Sequence, residues 1–475
     1  MATEGWLPVA SHGDERLVRF SAGRKDQGGR FSMARTDRGK TRREFLKDAT
    51  VLGGALASLS SVPSRASAQV VGANDRIRIG VMGAGGRARQ LLQFLLPGPE
   101  ENWMGMPQFK IIMVPGAQIV AIADVYELNR DRAAAMAGPE TKKFHDYREL
   151  LDQKDIDAVI IASPDHWHKQ MLVDAVAAGK DVYVEKAVTH AVEEGPEEIQ
   201  AVEKSGRMVQ TGTQSRSWPH YLQAKEIVDS GALGTVRLVD AWWFLNYYRG
   251  MLMRPQRAAA EAANIESKLD WKAWLGSAPP RPFSLPRFTT WRYFWDYGGG
   301  NLEDLLSHAI DIVQWFMDSP TPASARATGH VYEMTDWECP DTVTCTLEYP
   351  KGFLVNYFGG HTSGTDFGGT IFYGTKATLE ITLAGFALYE EGGRFWYNPK
   401  SRRWRPDPKL YVESEHEGTF DNLRNWLDSI RSRKPPNCNI RAGVEAGFTT
   451  HLGNAALRSG KKATWDEVQQ KIVIV

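Results

Sequence analysis

A glycine-rich motif lies between a predicted strand and a predicted helix, at residues 83–88 of the 475-residue chain. Isoleucine and valine alternate with other residues over positions 74–82, which indicates a strand. The sequence Gly-Ala-Gly-Gly-Arg-Ala follows at once, and a helical pattern begins near Arg89. A GxGxxG/A pattern indicates dinucleotide binding when it joins a strand to a helix. The motif therefore predicts a Rossmann βαβ unit.

Each position of the motif has a physical role in holding a pyrophosphate. Gly83 permits the tight turn, Gly85 lets the backbone approach the phosphates, and Ala88 lets the helix pack closely on the sheet. The helix N-terminus supplies amide donors and the positive end of the helix dipole. The cofactor contacts expected from this loop are Gly83, Gly85, Gly86, Arg87 and Ala88.

An acidic residue, Asp124, ends the next predicted strand at 117–124. A carboxylate there accepts hydrogen bonds from the adenosine ribose hydroxyls and repels a 2′-phosphate, so NAD is favoured and NADP stays open. The interval from Gly83 exceeds the usual spacing of about 20 residues. The excess falls in 96–116, where several Pro and Gly are typical of a loop insertion. The alternative role for Asp124 is a helix N-cap.

Strand and helix signals go on alternating after this point. They are a buried strand at 158–162, a helix at 170–178 and a strand at 181–184. Such alternation predicts a doubly wound parallel sheet with ligands at the carboxyl ends of its strands. Beyond about residue 195 the strand signals are longer and more often adjacent, which suits an antiparallel sheet. These later signals are at 325–332, 341–349, 353–359 and 369–375.

The motifs together resemble the Gfo/Idh/MocA oxidoreductase family over nearly all of the chain from Asn74 onward. The matching segments are 83–88, 162–168, 185–186, 212–214, 271–276, 298–304 and 451–454. The resemblance implies an α/β chain with a Rossmann domain, here 74–194, and a C-terminal α/β domain, here 195–475. The second domain is expected to contain a large, mostly antiparallel sheet whose open face commonly forms oligomer contacts, so we expect a homo-oligomer. Further expected cofactor contacts are Ser163, His166, His168, Glu185, Lys186 and Gln214.

Three residues are expected to carry the chemistry of a carbinol oxidation. Lys186 follows a predicted strand, where its ammonium could reach a substrate hydroxyl and the cofactor. Asp304 and His308 stand four apart in a helix-like run at 302–316, a spacing that puts both on one face. The imidazole can accept the hydroxyl proton, and the carboxylate would orient it. The resemblance implies substrate binding and general base catalysis for this pair. The alternatives are surface ion pairs.

Several nearby residues leave questions open. Asp311 either joins the cluster or faces solvent. The family usually has Pro where Ala187 stands, so Lys186 could be held differently here. The family also often has Gly where Leu306 stands, and the larger Leu side chain could crowd the site. His166 and His168 flank Trp167, and we prefer packing around the cofactor to a metal site, because no third ligand has a clear spacing. The aromatic runs at 242–248 and 291–297 could line a sugar site or belong to the core.

The N-terminal region carries the elements of a twin-arginine export signal. The pair Arg42-Arg43 precedes a weakly apolar stretch at 49–59, and a small-residue cleavage pattern follows at 66–68. The stretch is too short, and too rich in Gly and Ala, for a permanent membrane span. We expect a signal peptide at 33–68, recognition by the twin-arginine machinery and a periplasmic or otherwise exported protein. The alternative is a basic amphipathic helix that stays attached.

The first 32 residues fit no part of that signal. They are polar and without periodicity, so we expect them to be disordered. If Met33 is the true start, they are not part of the protein.

Composition excludes some classes of partner. Lys and Arg together equal Asp and Glu together, at 57 each, which gives no reason to expect nucleic acid. The three cysteines have neither metal-ligand spacing nor the number for a disulfide framework, although one bridge is open. We expect no metal, and a carbohydrate-like small molecule as substrate.

The compartment constrains the cofactor. Outside the cytoplasm no nicotinamide pool exists, so we expect NAD to be bound tightly and regenerated in place. The leading hypothesis is an exported NAD(P)-dependent oxidoreductase acting on a sugar or cyclic polyol. One alternative is a redox-neutral glycoside hydrolase that works through a transient keto-sugar. The other is a non-catalytic protein that binds sugar and nucleotide.

Overall fold

The structure is a computed structural model that describes residues 7–11, 14–18, 76–98, 111–246, 258–364, 367–392, 406–466, 469 and 471–475. The export signal expected at 33–68 lies outside these ranges, as do residues 99–110 of the predicted insertion and 247–248 of the aromatic run. Strands β1 (Leu7–Ser11) and β2 (Asp14–Val18) pair antiparallel in a unit separate from the chain after Gly39. The expectations for residues 1–68 stay predictions.

The first sheet of the main unit is the expected Rossmann sheet. Its six strands run parallel in the order β5-β4-β3-β6-β7-β8, the doubly wound arrangement. The elements are β3 (Ile77–Met82), α1 (Gly86–Leu95), β4 (Ala117–Ala123), α2 (Glu127–Ala137), β5 (Lys142–Phe144), α3 (Tyr147–Leu151), β6 (Ala158–Ile161), α4 (His168–Ala177), β7 (Asp181–Val184), α5 (Glu194–Ser205) and β8 (Val209–Thr211).

Two helices begin earlier than the sequence pattern indicated. Helix α1 begins at Gly86 instead of near Arg89, so half of the glycine motif forms its first turn. Helix α4 begins at His168 instead of residue 170, directly after a short 3-10 turn at Asp165–Trp167. Hydrophobic periodicity follows apolar side chains, so it does not reveal helix starts made of glycine or polar residues, as in these two helices.

The second part of the chain builds a ten-stranded sheet in the order β16-β15-β14-β13-β9-β12-β11-β10-β17-β18. Among the described strands of this sheet, only β9 and β12 pair in parallel, so the prediction of a mostly antiparallel sheet is confirmed. The strands are β9 (Val236–Phe244), β10 (Ser324–His330), β11 (Thr342–Tyr349), β12 (Phe353–Gly360), β13 (Gly368–Gly374), β14 (Ala377–Thr382), β15 (Gly385–Glu390), β16 (Leu410–Glu413), β17 (Ala463–Asp466) and β18 (Lys471–Ile474).

The helices of this part of the chain are α6 (Pro219–Asp229), α7 (Ala258–Glu266), α8 (Trp271–Leu275), α9 (Leu285–Thr289), a π-helical turn (Leu302–Leu306) that leads into α10 (Ser307–Met317), α11 (Thr419–Ser432) and α12 (Ile440–Ser459). Helices α6, α10 and α12 pack on the ten-stranded sheet, and α12 also contacts β8 of the Rossmann sheet. In β11 every second residue is buried, the pattern of a strand with one face on the core. One hydrophobic core joins Ile79 and Leu92 to Val313 and Trp426, so both sheets share it. Within the described ranges, no helix is long and apolar enough to cross a membrane.

Candidate active site

A cavity of about 960 Å³ lies at the carboxyl ends of the parallel strands. Gly83 follows β3, Asp124 follows β4, Ser163 comes shortly after β6 and Lys186 follows β7, and all four line the cavity. Successive strands are added on one side of β3 up to β5 and on its other side from β6 onward, and an open α/β sheet binds its ligands at this switch point. The predicted site residues from four separate segments therefore meet in one place.

The glycine loop leaves room for a dinucleotide pyrophosphate. Gly83 has φ +81°, and a Cβ there would lie 2.6 Å from the Ser163 backbone nitrogen, so only glycine fits. At Gly85 and Gly86 a Cβ would meet nothing within 4 Å. Helix α1 starts at that opening with no side chain capping its amides. Free amide donors, open space and the helix dipole suit a diphosphate, so the residues present fit NAD.

Asp124 occupies the place expected for the acid that binds the adenosine ribose. Its Oδ2 atom accepts a hydrogen bond from the Ala84 amide at 2.6 Å, and Oδ1 accepts from the Tyr126 amide at 2.7 Å. Burial raises the pKa of this carboxyl, against the effect of these two bonds. The N-cap of helix α2 is Tyr126, so the alternative role of Asp124 as an N-cap is wrong.

Arg87 and Glu185 form an ion pair in the wall of the cavity. Arg87 Nε donates to Glu185 Oε1 at 2.7 Å and joins helix α1 to the end of β7. Burial opposes the charge on Arg87, but the carboxylate outweighs it and raises the pKa of the guanidinium. A Cβ on Gly212 would lie 2.6 Å from Glu185 Oε2, so this glycine makes room for the pair. Gln214, a predicted cofactor contact, also lines the cavity.

Lys186 is bonded to Asp304 across the two domains. Its ammonium donates to Asp304 Oδ1 at 2.5 Å and to the main-chain oxygen of Asp304. Arg292, which the sequence analysis missed, donates from Nε to the same Oδ1 at 3.2 Å and lines the cavity. Burial would raise the pKa of Asp304, but the charges of Lys186 and Arg292 outweigh it and hold this pKa far below its usual range. The carboxylate therefore stays ionised.

His308 faces the same cavity, but Asp304 does not orient it. Among the hydrogen bonds of the described residues, none joins the two side chains, so that expectation is wrong. The Trp243 indole stacks on the His308 imidazole instead, with ring centroids 5.2 Å apart. Burial and the positive charge of Lys186 hold the pKa of His308 well below its ordinary value. The ring is therefore neutral at pH 7 and able to accept a proton.

A π-helical turn explains the difference between prediction and structure. The run at 302–316 was expected to be one helix, but Leu302–Leu306 is π-helical and the α-helix starts at Ser307. Such turns are frequent at functional sites. Leu306 is buried in the core and is not part of the cavity wall, so the expected crowding does not occur. The peptide bond between Lys186 and Ala187 is cis.

The histidines around Trp167 lie behind the cavity wall. His166 Nε2 is 3.2 Å from the Trp274 carbonyl oxygen, and burial lowers the pKa of His166 to about 3. The ring nitrogens of His168 lie 2.6 and 2.9 Å from the carbonyl oxygens of Ala187 and Ser163. Neither histidine lines the cavity, and Ala88 is buried within α1 and does not line the cavity either. No group of three or more His, Cys, Asp or Glu suited to a metal occurs in the described ranges.

The structure also decides between the alternatives stated above for Asp311, the aromatic runs and the cysteines. Asp311 neither joins the cluster nor faces solvent, because it is fully buried against Arg216, whose Nε donates to Asp311 Oδ1 at 2.7 Å. Trp243 and Trp291 line the cavity, whereas Tyr297 is buried in the core. The three cysteines are buried and free.

Residues 268–292, which we call the covering segment, close the cavity over the Rossmann domain. Leu269 forms a β-bridge with Tyr126, and the Asp270 amide donates to the Val125 carbonyl oxygen at 3.1 Å. Asp270 Oδ2 also lies 3.0 Å from His145 Nε2. The cavity-lining residues of this segment are Asp270, Ala273, Trp274, Gly276, Phe288, Thr289, Trp291 and Arg292.

The same segment contacts the Rossmann domain again near Trp167. Trp167 Nε1 donates to the Trp274 carbonyl oxygen at 2.8 Å. Gly276 packs so closely on Trp167 that a Cβ there would lie 2.4 Å from the indole. The covering segment is therefore fixed to the Rossmann domain at two places. Sequence patterns did not reveal this, since the contacts are between residues far apart in the chain.

Two protein-family models match this chain. The model described as "Oxidoreductase family, NAD-binding Rossmann fold" matches residues 77–213, and the "GFO/IDH/MocA C-terminal domain" matches 273–380. The first match confirms the predicted NAD cofactor.

Two curated relatives agree with these family matches. The chain is 35% identical over 363 residues to a scyllo-inositol 2-dehydrogenase (NAD(+)) of Bacillus subtilis, covering 74% of this chain and 88% of the relative. It is 36% identical over 373 residues to the uncharacterized oxidoreductase YrbE of the same organism, covering 76% and 93%.

Solved structures share the fold at lower identity. The scyllo-inositol dehydrogenase of Lactobacillus casei with bound NAD(H) and scyllo-inositol has TM-score 0.57 at 18% identity, covering 82% of this chain and 99% of that one. GenD2 from gentamicin A biosynthesis, in complex with NAD, has TM-score 0.61 at 17% identity, covering 86% and 100%. The chain belongs to the Gfo/Idh/MocA family and is an NAD-dependent oxidoreductase.

Proposed function

We propose that this protein oxidises a secondary hydroxyl of a cyclic polyol or sugar. The observation that carries the proposal is the convergence of Lys186, Asp304 and neutral His308 on the cavity that also contains the glycine loop. Relatives named as inositol dehydrogenases support a polyol as the substrate class. When bound, NAD supplies the hydride acceptor.

The side chains divide the remaining work. An ammonium has three donors, and Lys186 directs two of them to Asp304, which leaves the third for a substrate oxygen. That donor would stabilise the oxyanion that forms as the hydroxyl loses its proton. His308 is the base that accepts this proton. Asp304 fixes the direction of the ammonium.

The covering segment supports the proposal that NAD is retained between turnovers. A dinucleotide lying along the cavity would be enclosed by residues 268–292, whose contacts must break before it leaves. Retention suits an exported enzyme, because no nicotinamide pool exists outside the cytoplasm. We propose that the arginine pair and the cleavage pattern at 33–68 direct this export. Replacing both arginines by lysine should keep the protein in the cytoplasm, whereas unchanged export would contradict this placement.

Retained NAD also favours a second candidate reaction, redox-neutral glycoside hydrolysis through a transient keto-sugar. Hydride that cannot leave with the cofactor must return to a substrate in the same site. Transfer between two sugars satisfies this condition, and so does return to the keto intermediate after the aglycone has left.

We also propose a homo-oligomer formed through the open face of the ten-stranded sheet. Leu354 and Phe358 of β12 and Tyr373 of β13 are exposed there, although they are large and apolar. Large apolar side chains exposed on an open sheet face favour contact with a second copy of the chain. Sedimentation should show more than one copy per particle, and a monomer would contradict the proposal.

Incubation of the purified protein with inositols, free sugars and aryl glycosides tests the function. Without added cofactor, we expect polyols or sugars to reduce the bound NAD, which appears as near-ultraviolet absorbance of reduced nicotinamide. Release of aglycone with no lasting reduction would instead favour the hydrolase. No reaction with any of these compounds, in protein shown to contain NAD, would contradict both.

A further inference from the structure

Glu303 precedes Asp304 in the π-helical turn, but the reaction proposed above gives it no role. Its carboxylate is 2% exposed and is not part of the cavity wall. Glu303 Oε1 lies 3.5 Å from His190 Nδ1, and Oε2 lies 3.6 Å from His451 Nδ1. A buried carboxylate destabilises the folded protein unless a partner group offsets its loss of hydration. Glu303 has two imidazoles as partners, which indicates that its position matters to the structure around it.

The two histidines come from different parts of the chain. His190 lies four residues after Lys186, and His451 is part of helix α12. His451 Nε2 also lies 2.9 Å from Thr189 Oγ1, so α12 contacts the same segment as the turn does. Segment 186–190 is therefore joined to the turn by two adjacent ion pairs, Lys186 with Asp304 and His190 with Glu303.

The Glu303 carboxylate is packed against the backbone of Gly299. A Cβ on Gly299 would lie 2.0 Å from Glu303 Oε2, so the backbone encloses the carboxylate closely. The glycine and the two histidines therefore fix where the turn lies, and the turn carries Asp304.

We propose that Glu303 is a positioning residue whose ion pair with His190 holds the π-helical turn at the distance from segment 186–190 that the Lys186–Asp304 bond requires. The proposal rests on the proposed function, in which Lys186 and Asp304 act on the substrate. It assigns Glu303 no contact with substrate or cofactor.

The ion pair depends on pH through His190. The titratable groups that face this imidazole are Glu303 on the turn, Glu194 on α5, Asp296 before the turn, His166 after β6 and His451 on α12. Burial acts to lower the pKa of His190, but the neighbouring Glu303 carboxylate outweighs it and raises this pKa. The pair is therefore intact at pH below the raised pKa and is lost as pH rises through it.

The test compares Glu303→Gln with a control variant, Glu203→Gln. Glu203 is an exposed glutamate of α5 that pairs with Arg441. Titration of ¹³C-labelled histidine, with the His190 signal assigned by its loss in His190→Gln, should show the midpoint lower by about one pH unit or more in Glu303→Gln. Labelling of Lys186 by an amine reagent, followed by peptide mass spectrometry, should become several-fold faster. Neither should change in Glu203→Gln.

In the active enzyme, kcat of Glu303→Gln should fall about 10- to 100-fold, with KM little changed, and the basic limb that reports loss of the ion pair should disappear from the pH profile. An unmoved His190 titration, or unchanged labelling of Lys186, would overturn the proposal. If Glu303→Gln does not fold, the labelling of Lys186 in His190→Gln decides in the same way. Titration and labelling need no turnover, so failure of the proposed function is recognised separately, by an inactive wild type.

Discussion

The Lys186 ammonium and the Asp304 carboxylate form a partly buried ion pair at 2.5 Å, although 118 residues separate them in the chain. Lys186 stands at the end of β7 in the Rossmann sheet, and Asp304 stands on the π-helical turn of the second domain. The pair joins the two domains at the cavity. Any shift of one domain against the other must therefore change the direction of the ammonium.

Replacing His308 by Asn should lower kcat about 10²- to 10⁴-fold, because it removes the proposed base. Since burial and Lys186 hold the pKa of His308 well below 6.5, the base is neutral through the physiological range. Activity dependent on His308 is therefore lost only as pH falls through that lowered pKa. The pH profile of kcat/KM should show its acid limb below pH 6.5. An acid limb at or above pH 6.5 that disappears in His308→Asn would contradict the lowered pKa. The control is His330→Asn, at an exposed histidine.

Replacing Asp124 by Ser should weaken the preference for NAD over NADP. The carboxylate at the end of β4 would lie near a 2′-phosphate, and removing a like charge is worth about 10- to 100-fold in relative affinity. Fluorescence titration of the apoprotein with NADH and NADPH measures the ratio. Asp131→Ser, on the exposed side of α2, is the control. A ratio that stays at the wild-type value in Asp124→Ser would exclude the proposed role.

Asp270→Ala should speed the release of bound NADH. The change removes the contact with His145 and the cap that Asp270 Oδ1 provides to the Ala273 amide at 2.9 Å. Loss of a cap costs about 1 kcal/mol, which corresponds to release about five- to tenfold faster if the covering segment must open. Chase with excess NAD, followed by fluorescence, gives the rate. Release at the wild-type rate would show that the covering segment does not retain the cofactor.

Arg216→Met should destabilise the fold, because it leaves Asp311 buried without its cation. Breaking a buried pair from one side costs about 3–5 kcal/mol. The surface pair of Arg441 with Glu203 serves as the comparison, where Arg441→Met should cost less than about 1 kcal/mol. Thermal melting of the two variants should differ clearly. Equal melting temperatures would mean that the Arg216–Asp311 pair contributes little.

The parts of the site that sequence analysis predicted are those that local patterns determine. The turn at Gly83, the acid after β4 and the lysine after β7 each follow a strand whose alternation or apolar run is visible in the chain. Parallel topology then brings the ends of these strands together.

The residues that were missed depend on long-range contacts or on irregular backbone. Arg292 and the covering segment reach the cavity only because the second domain folds over the first. The π-helical turn breaks the 3.6-residue period on which the Asp304–His308 expectation was based, and it turns Leu306 into the core. Asp311 could not be assigned because its partner, Arg216, lies 95 residues earlier.

Single-turnover reduction of bound NAD tests the central claim most directly. Three NAD-loaded proteins are each mixed with scyllo-inositol, myo-inositol and a panel of sugars: wild type, Lys186→Met and the control Lys142→Met. Lys142 is an exposed lysine that pairs with Asp155. We predict reduction by at least one of these compounds in wild type and in Lys142→Met. In Lys186→Met the rate should be about 10²- to 10⁴-fold lower, although NAD remains bound. Reduction at equal rates in wild type and Lys186→Met would contradict the account.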